Sequence, residues 1–281
     1  MLTLSSANLP EAVTKIADPP KRLYVASSNW QDLLSRPTIA IIGSRKVTAY
    51  GRSVTATLAG KLAGSGVVIV SGLALGVDAI AHRAALEAGG LTIAVLPGSL
   101  DRIYPACHRN LAGRIVEQGG ALITEYSPDT HIYPSNFIAR NRLVSALSRA
   151  VLVTEAAEKS GTLHTARFAL EQGKDVLAVP GNITSPLSGG TNNLIKAGAV
   201  PVTSVDDVLH YLGIHAVSRA RHTGGTPQEQ VILDLLSQGI IEGSQLLEQS
   251  GLEVSPFNQS LTMLEITGKV RCLGGNQWAL Q

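Results

Sequence analysis

The stretch IAIIGSRKVTAYG, residues 39–51, decides how this chain reads. Its first four residues are apolar and three are β-branched, which makes a buried strand. The chain then turns at Gly43, presents Ser44, Arg45 and Lys46, and opens a helix near Gly51. A strand, a turn and a helix N-terminus together form an anion site, because unpaired backbone N–H groups and the positive end of the helix dipole face the same way. Neither nucleotide-loop pattern, G-x-G-x-x-G or G-x-x-x-x-G-K-[ST], is present.

The same unit repeats along the chain. Strand-like runs occupy 39–42, 67–71, 92–96, 121–124, 150–154, 176–179 and 200–203, and helix-like stretches at 51–63, 76–88, 108–118, 136–147, 162–172, 190–197 and 205–212 separate them. Alternating strands and helices imply an α/β fold: a Rossmann-like, mostly parallel sheet with helices on both faces. The runs are followed by GSRK, SGLALG, PGSLDR, EYSP, EAAEKSG and PGN. Turn residues therefore collect at the carboxyl ends of the strands, where open α/β sheets bind their ligands. Taken singly, each glycine is also what any turn requires.

Four segments are expected: a short N-terminal extension, 1–38, in which Leu23-Tyr24-Val25 adds an edge strand; the Rossmann-like domain, 39–212; a glycine-bounded linker, 213–225; and a small winged helix domain, 226–281, opened by a Thr226 cap and Pro227 and closed by a two-strand wing with a Gly-Gly turn. No run is apolar enough to span a bilayer and the start of the chain lacks the pattern of a secretory signal. Two distant cysteines, Cys107 and Cys272, suit a reduced cytoplasmic protein.

Net charge is only +2, unevenly placed. Residues 226–281 hold two cations against six acids, leaving +6 on the remainder. No acid occurs from Leu33 to Val77, from Arg102 to Val116, or from Thr130 to Thr154, and these segments include the regions beyond strand ends. Fifteen arginines against eight lysines favour bidentate phosphate contacts. Cations converging in this number suit a polyanion better than a single nucleotide. In FIARNR, Arg140 and Arg142 flank Asn141 early in a helix, where cations oppose the dipole unless a bound phosphate is present. Arg142 has a second reading as partner of a core carboxylate such as Glu155. Phe137 either stacks a base or joins the core. The second helix of the winged motif carries no Lys or Arg between Ser255 and Gly268, a poor groove reader, and a protein-contact or dimer-supporting role suits it better.

Catalysis is not indicated. Asp78 and His82 share a helix face, but no nucleophile is placed to join them, and Asp78 is expected to cap the amides of the preceding glycine loop. No metal-ligand spacing or paired-carboxylate motif is present.

The ordered motifs PPKRLYV, IAIIGSRKVTAYG, VSGLALGVDAIAH, AVLPGSLDRIYP, ITEYSP, FIARNRLVSALS, VLVTEAAEKSGTLHTARFALEQGKDVLAVPGN and GGTNNLIKAGA resemble the DprA (DNA-processing) family from about Pro19 to Leu212, with a family-like winged helix after them. The resemblance implies a Rossmann-like domain that binds single-stranded DNA without strong sequence preference and dimerises. It also implies loading of the recombinase RecA onto incoming strands in natural transformation, without catalytic turnover or a cofactor. The family's phosphate pocket falls on Gly43, Ser44, Arg45, Ser71, Gly72 and the basic residues of FIARNR. With the charge argument, the candidate DNA-binding set is Gly43, Ser44, Arg45, Lys46, Ser71, Gly72, Phe137, Arg140, Asn141, Arg142, Lys159, Ser160 and Gly161. Gly43, Ser71 and Gly72 are expected to let backbone approach the ligand. Lys46 and Thr48 fall in a variable part of the loop. His164 stands where the family usually has Ile, and the helical N-terminal domain of many members is expected to be absent or truncated. The alternatives are a phosphoribohydrolase-like nucleotide enzyme, which PGSLDR and SGTLHTARF disfavour, and a nucleotide-sensing module of a defence system, which would prefer a mononucleotide.

Overall fold

The computed structural model describes residues 2–214 and 224–280, in two compact units that meet in sequence near Ile214. Most of the linker expected at 213–225 lies outside the described residues.

Among the described residues the first unit is built on nine strands: β1 (Leu2–Ser5), β2 (Arg22–Ala26), β3 (Thr38–Gly43), β4 (Val68–Ser71), β5 (Thr92–Val95), β6 (Ala121–Thr124), β7 (Ala150–Glu155), β8 (Val176–Ala178) and β9 (Val200–Pro201). Their order is β1-β2-β6-β5-β4-β3-β7-β8-β9. Pairing is parallel from β6 to β9, and β1 and β2 add antiparallel strands beside β6. Among the described residues the α-helices that accompany them are α1 (Glu11–Thr14), α2 (Trp30–Ser35), α3 (Ala49–Gly64), α4 (Val77–Glu87), α5 (Arg109–Glu117), α6 (Pro134–Ala146), α7 (Thr162–Glu171), α8 (Gly189–Lys196) and α9 (Val205–Tyr211).

Strand alternation divides the core between two faces. In β3, Ala40 and Ile42 pack with Leu143 and Val144 of α6 and Ala166 and Ala169 of α7. Ile39 and Ile41 pack with Leu58 and Leu62 of α3 and Ala81 and Ala85 of α4. Every strand from β3 to β8 is fully buried, as a parallel sheet covered on both sides requires.

The N-terminal segment corrects two expectations. Residues 1–38 do not stand ahead of the sheet: β1 and β2 belong to it, and Val13, Trp30 and Leu33 are core residues. The strand containing Leu23–Val25 is not the edge either, because β1 pairs outside it.

The second unit contains α10 (Pro227–Ser237), α11 (Gly243–Ser250) and α12 (Val254–Ile266), followed by the hairpin β10 (Val270–Gly274) and β11 (Gln277–Leu280). The Thr226 hydroxyl accepts from Glu229 N (3.2 Å), capping α10. Gly274, Gly275 and Asn276 all take positive φ in the wing turn. Ile232, Leu246, Phe257, Leu264 and Val270 form a separate core. Among the described residues no helix is long and apolar enough to cross a membrane.

Candidate nucleic-acid interface

The chain lays β4, β5 and β6 to one side of β3, then returns through α6 to lay β7, β8 and β9 on the other. The β3–β7 boundary is therefore the topological switch point, where the loops leaving two neighbouring strands part and open a crevice. A cavity of about 650 Å³ lies there, lined by Gly43–Lys46 after β3, Gly72 and Ala74 after β4, Tyr104 after β5, the first half of α6, and Ser160–Thr162 at the start of α7.

The β3–α3 turn is held from beneath. Ser44 N donates to Glu155 O (2.8 Å), and the Ser44 hydroxyl accepts from Lys46 N (3.1 Å). Val77 N donates to Ser44 O. Gly76, at φ 77°, permits that approach: a Cβ there would lie 2.2 Å from Ser44 O. Arg45 and Lys46 are consequently exposed on a fixed turn. The Arg45 guanidinium lies 5.3 Å from the Phe137 ring centroid, and Tyr104 meets the same ring edge-on at 5.2 Å. Phe137 is a half-buried wall of the cavity rather than core. The cavity thus offers two exposed cations beside an aromatic face, which suits phosphate and base together.

Two helix N-termini at this edge already have an anion from the protein. Glu155 accepts from Thr48 N (2.9 Å) and the Thr48 hydroxyl at the start of α3, and Gly51 leaves room for it, since a Cβ there would lie 2.6 Å from its Oε2. Asp78 in α4 accepts from Gly72 N (3.1 Å) and Ala74 N (3.4 Å), the loop-capping role expected of it. The start of α7 carries no acid in its first turn and opens on the cavity.

The three arginines grouped by sequence part here. Arg140 is 3% exposed and lines the cavity floor, with Nη1 donating to Gly72 O and Val95 O and Nε to Asn141 Oδ1 (3.2 Å). Gly72 is a glycine because this guanidinium lies against it; a Cβ would fall 2.4 Å from Nη2. Burial pulls Arg140 down to about 10, with Asp78 acting the other way, and burial raises Asp78 while Arg140 opposes. Arg142 leaves the expected set. Its Nη1 and Nη2 bind Glu125 at 2.6 and 2.7 Å and its Nε donates to Asp18 O (2.8 Å), so its core partner is Glu125 rather than Glu155. α6 begins at Pro134, two residues earlier than expected, so both arginines lie beyond its first turn and the dipole conflict is weaker than the sequence implied.

Ser71 and Lys159 also lie outside the lining. Ser71 is fully buried and donates to Ile41 O (2.6 Å); Lys159 is exposed on the loop before α7. Gly43 lines the cavity, yet its missing side chain serves packing: a Cβ would lie 2.6 Å from Val77 Cγ2. The other candidates, Ser44, Arg45, Lys46, Gly72, Phe137, Arg140, Asn141, Ser160 and Gly161, line one concavity. Sequence reading missed Tyr104 and Thr162; both lie in the connections that leave the carboxyl ends of β5 and β7, Thr162 as the first residue of α7.

His82 does not join Asp78. Its Nδ1 meets the Thr92 hydroxyl (2.7 Å), which itself donates to Ile69 O, so the Nδ1 hydrogen is the donor and Nε2 is a buried lone pair without a partner among the described residues. Burial, with nearby Arg140 adding to it, takes its pKa from 6.5 to about 3. The unfolded chain therefore binds a proton that the folded chain refuses, and as pH falls from 6.5 toward about 3 the stability from this group falls by about 1.4 kcal/mol per pH unit. Urea midpoints at pH 8 and pH 5 are expected to differ less in His82→Gln than in the native protein. An equal difference would remove His82 from the acid response.

Comparison with known proteins places this architecture. The family model for DNA recombination-mediator protein A matches residues 1–213, and the DprA winged helix domain model matches 217–276. The chain belongs to the DprA family. A DprA relative from Mycobacterium tuberculosis is 40% identical over 253 residues, covering 86% of this chain and 64% of that protein. The chain thus spans slightly less than two thirds of the length of that relative. The DNA processing protein DprA of Bacillus subtilis is 40% identical over 212 residues, covering 75% of this chain and 70% of its own. The crystal structure of DprA from Streptococcus pneumoniae superposes with a TM-score of 0.69 at 38% identity, covering 74% of this chain and 73% of that one. DNA processing protein A from Helicobacter pylori, solved in a study of its single-stranded DNA binding mode, gives 0.67 at 39% identity, covering 75% and 95%. The description of the matching family model is that of a DNA recombination mediator.

Proposed function

We propose that this chain binds single-stranded DNA without strong sequence preference in the switch-point cavity, with Arg45 and Lys46 on phosphate and Phe137 and Tyr104 beside a base. The observation that carries this reading is the joint presence of two exposed cations on a rigid turn and an aromatic wall within one concavity. The Helicobacter pylori relative, whose binding of single-stranded DNA is on record, supports the choice of ligand. Loading of RecA, a homodimer through the sheet domain and a cytoplasmic role in DNA uptake and recombination belong to the same proposal, on family grounds. The acidic winged helix, with no cation in α12, fits contact with a protein rather than with a DNA groove.

The nucleotide-hydrolysing alternative loses its usual seat. The turn after β3, at the helix N-terminus where Rossmann domains hold a pyrophosphate, is filled by Glu155. Asp78 is tied to loop amides and has no place as a free general base.

Fluorescence anisotropy of labelled oligo-dT across a salt series tests the reading. The native protein is expected to bind and to weaken steeply with salt. Arg45→Ala is expected to bind more weakly, with the log–log slope reduced by about 1, the signature of one lost phosphate contact. Absence of oligo-dT binding at low salt would refute the DNA reading, and a mononucleotide that binds as tightly as the oligomer would favour the nucleotide alternative. On an oligomer that does bind, the protein is expected to shorten the lag of RecA assembly.

A further inference from the structure

We propose that a second cavity, on the far side of the GSRK turn, is a nucleobase subsite that receives a neighbouring residue of the same strand; this rests on the DNA-binding reading above. The cavity holds about 590 Å³ and is lined by Thr48, Tyr50, Glu155, Pro180, Gly181 and Asn182, with Ser185 and Ser188 at its border. It adjoins the first one. Lys46 and Leu187 line the first, Thr48 and Ser188 the second. Two residues of backbone span at most about 7 Å, a step that one or two nucleotides cover at about 3.4 Å each when stacked.

Its chemistry differs from that of the first cavity. No described Lys or Arg lines it, and its one carboxylate, Glu155, is buried and already engaged by the Thr48 amide and hydroxyl. The strongest recognition element is the Tyr50 ring, 49% exposed, whose hydroxyl donates to Pro180 O at 2.8 Å. That bond fixes the ring before any ligand arrives, so little side-chain freedom is lost on stacking. The next stretch of the lining is tied as well: Asn192 bonds both Gly181 N (3.1 Å) and Gly181 O (3.0 Å), and Asn182 Oδ1 accepts from Thr184 N (3.0 Å). A prebuilt concavity with an aromatic face and no cation in its described lining suits a base, just as the cations across the turn suit phosphate.

The test uses the full chain, labelled oligo-dT of increasing length and an abasic oligomer with the same phosphates. Tyr50→Ala is expected to weaken long oligo-dT about 5- to 100-fold, the equivalent of about 1–3 kcal/mol for one stacked base, with the salt slope unchanged. Tyr50→Leu, which keeps bulk at the start of α3, behaves like Tyr50→Ala, whereas Tyr50→Phe binds within about two-fold of native. The abasic oligomer binds all four proteins alike, which also certifies that the variants are folded. If Tyr50→Ala and Tyr50→Leu match native at every length while Arg45→Ala is impaired, the subsite is refuted and the DNA reading stands. A shallower salt slope in Tyr50→Ala also refutes it, because the residue would then act through phosphate. No binding by the native protein refutes both.

Discussion

Arg140→Met is expected to destabilise the first unit by about 3–5 kcal/mol, the range for removing one partner from a buried charged network. Three losses coincide. Gly72 O and Val95 O each lose a donor inside the protein, and Asp78 loses its nearby cation while remaining buried. The loop from Gly72 to Ala74 then keeps Asp78 on its amides and His108 Nδ1 on Leu73 O (2.8 Å), and loses its tie to α6. The pH dependence identifies the cause. Burial already raises Asp78, and without Arg140 its carboxyl rises further above the unfolded value. A group raised in the folded state contributes stability at low pH and loses it as pH rises through the folded pKa. The deficit of Arg140→Met, read from urea midpoints against the native protein, is therefore expected to shrink as the buffer is taken from neutral toward acid. A deficit independent of pH would mean that the carbonyl bonds, not Asp78, account for the loss. Arg140→Lys keeps the charge but not the fork, and falls between the two.

How much of this was legible in the sequence depends on the range of the interactions involved. The strands from β3 to β8 were readable because each is a short apolar run bounded by turn residues, and their burial on both faces leaves no competing pattern. The switch-point site was readable for a related reason: parallel strands carry their loops to one edge, so GSRK and EKSG had to meet there once β3 and β7 were neighbours. Side-chain partners were not readable. Arg45, Arg140 and Arg142 look alike in a string, and what separates them is a carbonyl 45 positions away, a carboxylate 17 positions away, and exposure on a turn held by Gly76. The first two strands were half missed, since Leu2–Ser5 is mostly exposed and short, and antiparallel addition at a sheet margin leaves little apolar signal. In the sequence Glu155 is a candidate partner of Arg142; in the fold it caps α3, a consequence of the register between β3 and β7 that no local pattern carries.

Arg142→Met is expected to cost about 3–5 kcal/mol as well, while leaving the salt slope of oligo-dT binding where it is. The guanidinium is 8% exposed and makes a bidentate pair with a carboxylate that is 16% exposed, so the substitution strands Glu125 largely out of water. The same geometry predicts recovery. Replacing both partners, Arg142→Met with Glu125→Leu, removes the pair together with the desolvation cost of each charge, and a packed apolar pair of similar volume is often neutral. The double variant is therefore expected to regain most of the stability lost by Arg142→Met alone, with a coupling that a double-mutant cycle measures directly. A phosphate-contacting Arg142 would behave in the opposite way, losing affinity and about one unit of salt slope in every variant that lacks it, the stable double variant included. The double variant thus separates an arginine that ties α6 to the end of β6 and to Asp18 from one that touches DNA, and the hydrogen bonds on its Nε, Nη1 and Nη2 place it with the first.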